Sequence, residues 1–220
     1  MSASTKTAVL PGSVVWTAVG LLMLIASAAV THRAIQLLIP SRSGGAPMTQ
    51  AMDAVFAGHK ALTLVHIFVG PVFLLLALIP FTRFRPASGS RKHSLLANIQ
   101  FAVGAVVGIT AILMSLQTTI GGANEIAATL FFAVLFLTAL TLATVRAREQ
   151  RYTLEREWRI RALAIALAVA TMRPIVGIFF ATSRISHLTP REFFGTAFWI
   201  GFTLNLIVAE WWIHATGEQQ

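Results

Sequence analysis

Six apolar stretches, each long enough to cross a bilayer, dominate the chain and fix its solvent before any motif is read. They run over residues 14–39, 60–81, 94–116, 124–145, 160–182 and 193–213. A helix rising 1.5 Å per residue needs about 20 apolar residues to cover a hydrocarbon core of about 30 Å, and each stretch meets that length. Only 11% of residues are charged, against about 25% in soluble domains, so an ordinary globular enzyme is excluded. The expected fold is therefore all-α: a six-helix transmembrane bundle with short loops and no soluble domain. Residues 1–13 and 214–220 are read as cytoplasmic tails around the membrane domain 14–213. The first stretch is too long for a signal-peptide core and is read as a retained helix.

Basic residues in short loops mark the cytoplasmic side. With the N-terminus inside, eleven fall there: Lys6, Arg83, Arg85, Arg91, Lys92, Arg146, Arg148, Arg151, Arg156, Arg159 and Arg161. Five fall outside, Arg33, Arg42, Lys60, Arg184 and Arg191, while Arg173 lies within a span. Both termini are accordingly expected in the cytoplasm. The formal charge of +9 follows from this topology and from attraction to anionic lipid headgroups, and no nucleic-acid partner is expected. With no cysteine in the chain, disulfides, thiolate metal sites and covalent haem attachment are ruled out.

Between spans, residues 40–59 read as a loop followed by an interfacial helical turn over 48–57, and Gly121 and Gly122 as a tight link. A short interfacial helix is expected over 146–161. Small residues let membrane helices approach closely, so Gly104, Gly108, Ala111 and Ser115 in span three should face protein. So should Ala162, Ala166, Ala170, Gly177 and Ala181 in span five, with Arg173 on the same face. The run Phe131, Phe132, Leu135 and Phe136 is read as lipid contact, and the five tryptophans as interface anchors.

Ionisable groups inside a span ask for a partner or a purpose, because each carries a cost of about 2.5–3.5 kcal/mol at the bilayer centre. Arg173, next to Pro174, reads either as an anion or quinone-carbonyl contact or as a structural clamp. Glu210 and His214, four residues apart on one helical face, read as a proton relay or as hydrated interfacial groups, with Asn205 extending their polar face. His32 with His66, and His93 with His214, lie at matched depths, the arrangement that two b-type haems would require. His59 lies roughly 10 Å from His66 along one helical face, too far to share a metal.

The string from His66 to Phe73 with Gly70-Pro71, then Arg83, Arg85 and His93, resembles a bacterial membrane family of unknown function, domain-of-unknown-function family 2306. Trp158-Arg159-Ile160-Arg161 followed by an alanine-rich helix reaching Arg173 extends the resemblance, as does Asn205-Leu206 to Ala209-Glu210-Trp211. It covers about His59 to Trp212 and implies a multi-span bacterial membrane protein without an established reaction. The family's usual histidine before Trp158 is Glu155 here, and its usual methionine after that tryptophan is Arg159. Its glycine after the third-span histidine falls near Ala97, and the adjacent arginine is Ser94.

Three functions follow as expectations. The first is an inner-membrane protein whose residues His66, His93, Arg173, Asn205 and Glu210 form a redox-related site for quinone or haem. The second is an accessory or assembly subunit of a larger membrane complex, respiratory or photosynthetic. The third is a small transporter, suggested by the prolines that interrupt two spans.

Overall fold

The computed structural model describes residues 12–39 and 54–217, and all six apolar stretches are helices within it. They are α1 (Gly12–Leu38), α2 (Lys60–Leu78, continued by a 3₁₀ turn Ile79–Phe81), α3 (Arg91–Gln117), α4 (Gly122–Arg148), α5 (Tyr152–Ser186) and α6 (Pro190–Gly217). Residues 54–58 form a helical turn before α2, while 48–53 of the expected interfacial turn lie outside the described residues. Pro71 and Pro174 sit inside α2 and α5 without ending either helix.

Consecutive helices from α2 to α6 pack as antiparallel neighbours, and α4 also packs on α6. α1 stands against α5 and α2, and among the described residues its backbone does not closely approach that of α6. It is the least enclosed span, with Leu37 its one buried residue.

Close approach explains the α3–α4 contact. A methyl group on Gly104 would collide with Leu140 and Phe73, and one on Gly108 with Leu137, so the small-residue face of α3 meets protein as expected. On α5 the expectation holds only for the first half of the stripe. Ala162 and Ala170 are buried, but Arg173, Gly177 and Ala181 are exposed, because past Ala170 the helix buries only its α6-facing side through Met172 and Val176.

The phenylalanine run corrects the reading of lipid contact. Phe131 is exposed, whereas Phe132 and Phe136 are buried: Phe132 stacks on Phe202 of α6 at 4.7 Å, and Phe136 meets Phe73 of α2 edge-on at 5.1 Å. Residues four apart share a face, and on α4 that face points into the bundle.

No separate helix occupies 146–161. α4 runs to Arg148 and α5 starts at Tyr152, with Gln150 in a left-handed conformation at φ 60° making the reversal and Arg151 N–H donating to the Arg146 carbonyl. Of the stretch assigned to an interfacial helix, residues 146–148 end α4 and residues 152–161 begin α5, whose 35 residues extend about 52 Å. At the opposite end, the α3–α4 link is closed by Glu125. Its buried carboxylate accepts hydrogen bonds from the backbone N–H of Ile120 (2.8 Å) and of Gly121, and from the Thr119 hydroxyl (3.0 Å).

Candidate functional site: a lateral groove with a charged mouth

Because α1 and α6 both lean on α5 without close backbone approach to each other, a cavity of about 1120 Å³ opens between them. That exceeds the ~300–1,000 Å³ of pockets for drug-sized ligands. α5 supplies the floor through Ile160, Leu163, Ala164, Leu167 and Thr171. One wall is the first half of α1, from Val14 to Ile25, and the other is α6, from Leu204 to Trp212. The walls are the flanks of two spans, so the cavity is open sideways toward lipid. Its polarity is graded. From Ile160 to Thr171 the floor is mainly apolar over about 17 Å, roughly the depth of one leaflet.

The two ends are polar. At the inner end the Thr171 hydroxyl donates to Asn205 Oδ1 (2.8 Å), and Asn205 Nδ2 donates to the Ala164 carbonyl (2.9 Å). These bonds tie α6 to α5 where the groove stops. At the mouth, the end shared by the starts of α1, α3 and α5, lie Arg85, His93, Tyr152, Glu155, Arg156 and Arg159.

A buried cluster organises the mouth. Glu155 Oε1 accepts from Arg159 Nε (2.7 Å) and faces its Nη2 (2.6 Å), and it lies 3.0 Å from His93 Nε2. Glu155 and Arg159 are 3% and 9% exposed, and charges so enclosed persist only when paired. Four-residue spacing on α5 aligns these two side chains, while His93 reaches them from the first turn of α3. Ser90 caps that turn, its hydroxyl accepting the His93 backbone N–H at 3.2 Å. The imidazole also meets the Tyr152 ring edge-on, with centroids 5.5 Å apart. Glu155 thus joins His93 of α3 to α5, while Arg159 neutralises it.

The five residues expected to form one site do not gather. His93 and Asn205 line the groove, at opposite ends. His66 points to α3, its Nδ1 2.9 Å from the Thr110 hydroxyl, which itself donates to the Val106 carbonyl. Arg173 lies exposed on α5, away from the other four. Glu210 is held by Arg161 in a two-pronged pair, with Nε–Oε1 2.6 Å and Nη2–Oε2 2.9 Å. That pairing replaces the expected meeting with His214, whose Nδ1 sits 2.7 Å from the Glu210 backbone carbonyl. His32 and His214 are exposed, and among the described residues no contact joins two of the four imidazoles expected to ligate haem.

Sequence reasoning passed over Tyr152, Arg156 and the Arg161–Glu210 pair. The i,i+4 spacings Glu155/Arg159 and Glu157/Arg161 were available as a signal of paired charges on α5, and the second pair also forms, at 3.6 Å. Arg161 lies 4.5 Å over the Trp158 ring as well, which fixes its guanidinium between two helices.

A bundle of six membrane-length helices with its charged groups concentrated at one end defines a polytopic integral membrane protein. The chain belongs to the family described as predicted membrane protein (DUF2306), whose family model matches residues 63–213. No curated protein and no solved structure matches it.

Proposed function

We propose that this protein binds a long-tailed amphiphile, a lipid or a membrane quinone, which enters the groove sideways from the bilayer and leaves its head at the charged mouth. The observation that carries this reading is the gap between α1 and α6: a cavity of about 1120 Å³, open to lipid along its flank, apolar for one leaflet's depth and polar where headgroups lie. Soluble ligands need no lateral opening. The quinone reading keeps two of its residues here, His93 at the head and Asn205 at the stop.

The same reading places the mouth in the cytoplasm of a bacterium. The α2–α3 and α4–α5 connections, rich in arginine, share the mouth's end of the bundle, and the positive-inside rule keeps such loops in the cytoplasm. Reporter fusions at those connections read the orientation; a periplasmic signal would reverse it.

Ala164 supplies the test because it lies on the groove floor and its side chain is only a methyl group, the hydrogen bond from Asn205 going to its backbone carbonyl. Ala164→Trp fills the groove, and native mass spectrometry of protein released from nanodiscs should show a retained amphiphile on the wild type and its loss from the variant. Equal retention by both would sink the reading. The melting temperature of Ala164→Trp reports separately on folding.

A further inference from the structure

Resting on that reading, we infer that the occupant is anionic: a lipid with a phosphate head, taken from the leaflet at the mouth's end of the bundle. Charge balance at the mouth carries this step. Three arginines and one glutamate line it, and the glutamate is already committed, since Glu155 is enclosed by Arg159 and His93. Arg85 and Arg156 remain. Among the described residues neither has an acidic partner; Arg156 has only a long contact of 3.4 Å to the Thr216 hydroxyl. They approach the mouth from different elements, Arg85 from the turn after α2 and Arg156 from the first turns of α5.

A neutral head would leave two guanidinium groups facing it with no counter-charge. A phosphate accepts hydrogen bonds from both forks, and charge-assisted bonds of this kind are about twice as strong as neutral ones. Glu155 sharpens the choice. As it neutralises Arg159 inside the wall, the excess positive charge is confined to the rim where a headgroup sits. Depth agrees with the chemistry: about 17 Å of apolar floor runs from Ile160 to Thr171, a tail of one leaflet. Trp16 on α1 and Trp212 on α6 line opposite walls, the amphipathic rings expected where headgroup gives way to tail.

Delipidated protein in dodecyl maltoside, followed by tryptophan fluorescence, provides the assay. It is titrated with dioleoyl phosphatidic acid, with dioleoylglycerol, which has the same tails and no phosphate, with decyl-ubiquinone and with inorganic phosphate. Phosphatidic acid should bind at least about tenfold more tightly than dioleoylglycerol or the quinone. The double variant Arg85→Gln/Arg156→Gln should lose that preference while binding dioleoylglycerol as the wild type does, and added salt should erode the preference in the wild type only. Equal affinity for phosphatidic acid and dioleoylglycerol, or tighter binding of the quinone, would overturn the anionic head and leave the groove standing. Inorganic phosphate binding as tightly as phosphatidic acid, with Ala164→Trp unaffected, would overturn the lipid source. No binding of any amphiphile, in wild type and Ala164→Trp alike, would remove the groove reading itself.

Discussion

Glu155→His alone is expected to destabilise the folded bundle by about 3–5 kcal/mol, and adding Arg159→Met should restore most of that loss. The single change leaves the Arg159 guanidinium, 9% exposed, without its counter-charge and with only an imidazole for company. Uncompensated buried charge is among the few mechanisms that produce so large an effect. The second change removes the orphan and leaves the histidine and methionine that the family resemblance implies at these two positions. Arg159→Met alone should also be destabilising, because it strips Glu155 of its two shortest contacts and leaves His93 Nε2 as its remaining neighbour. Unfolding in detergent titrated with sodium dodecyl sulfate, followed by tryptophan fluorescence, gives the four corners of the cycle. A coupling near zero would mean that the two positions act independently and that the pairing contributes nothing.

Gly195→Ala is the second large effect expected, a loss of about 1–3 kcal/mol or more. A Cβ at Gly195 would lie 2.6 Å from the Glu125 backbone nitrogen and 2.7 Å from the Asn124 carbonyl carbon. Those obstacles are backbone, so α6 must move away from the start of α4. The displacement reaches the turn that the Glu125 carboxylate closes, since a Cβ on Gly121 would in turn meet the Gly195 nitrogen at 2.8 Å. It would also strain the 3.0 Å bond from Trp199 Nε1 to Asn124 Oδ1. Gly177→Ala serves as control, because nothing lies within 4 Å of its Cβ position and the expected change is small. Helix propensity favours alanine at both positions, so a Gly195→Ala protein as stable as Gly177→Ala would show that close approach does not govern Gly195.

The number and order of the spans were legible because hydropathy alone distinguishes a membrane helix. Their ends were not: α5 begins at Tyr152 and α3 at Arg91, several residues before the apolar stretches, since backbone hydrogen bonding continues through the polar headgroup level. Which face turns inward was legible on α3, where glycines mark close approach. On α4 it was hidden, for when every face is apolar the spacing of Phe132 and Phe136 cannot tell lipid from protein. The groove left no trace in the sequence because it arises from two helices failing to meet, a property of arrangement. His93 was legible as a candidate, but its partner was not: Glu155 reads as a departure from the family until Arg159 is seen beside it. Glu210 and His214 share a face as their spacing requires, yet the cross-helix cation Arg161 outcompetes the imidazole for the carboxylate.

Photocrosslinking with phosphatidic acid that carries a diazirine in its acyl chain tests the lateral groove most directly. Irradiation in nanodiscs followed by peptide mapping should place adducts on Leu163, Ala164 and Leu167 of α5, between α1 and α6. Those adducts should disappear in Ala164→Trp, while adducts on the outward-facing Phe131 and Ile178 persist in both proteins. Adducts confined to the outward-facing residues of the wild type, with none on the floor of α5, would contradict the account.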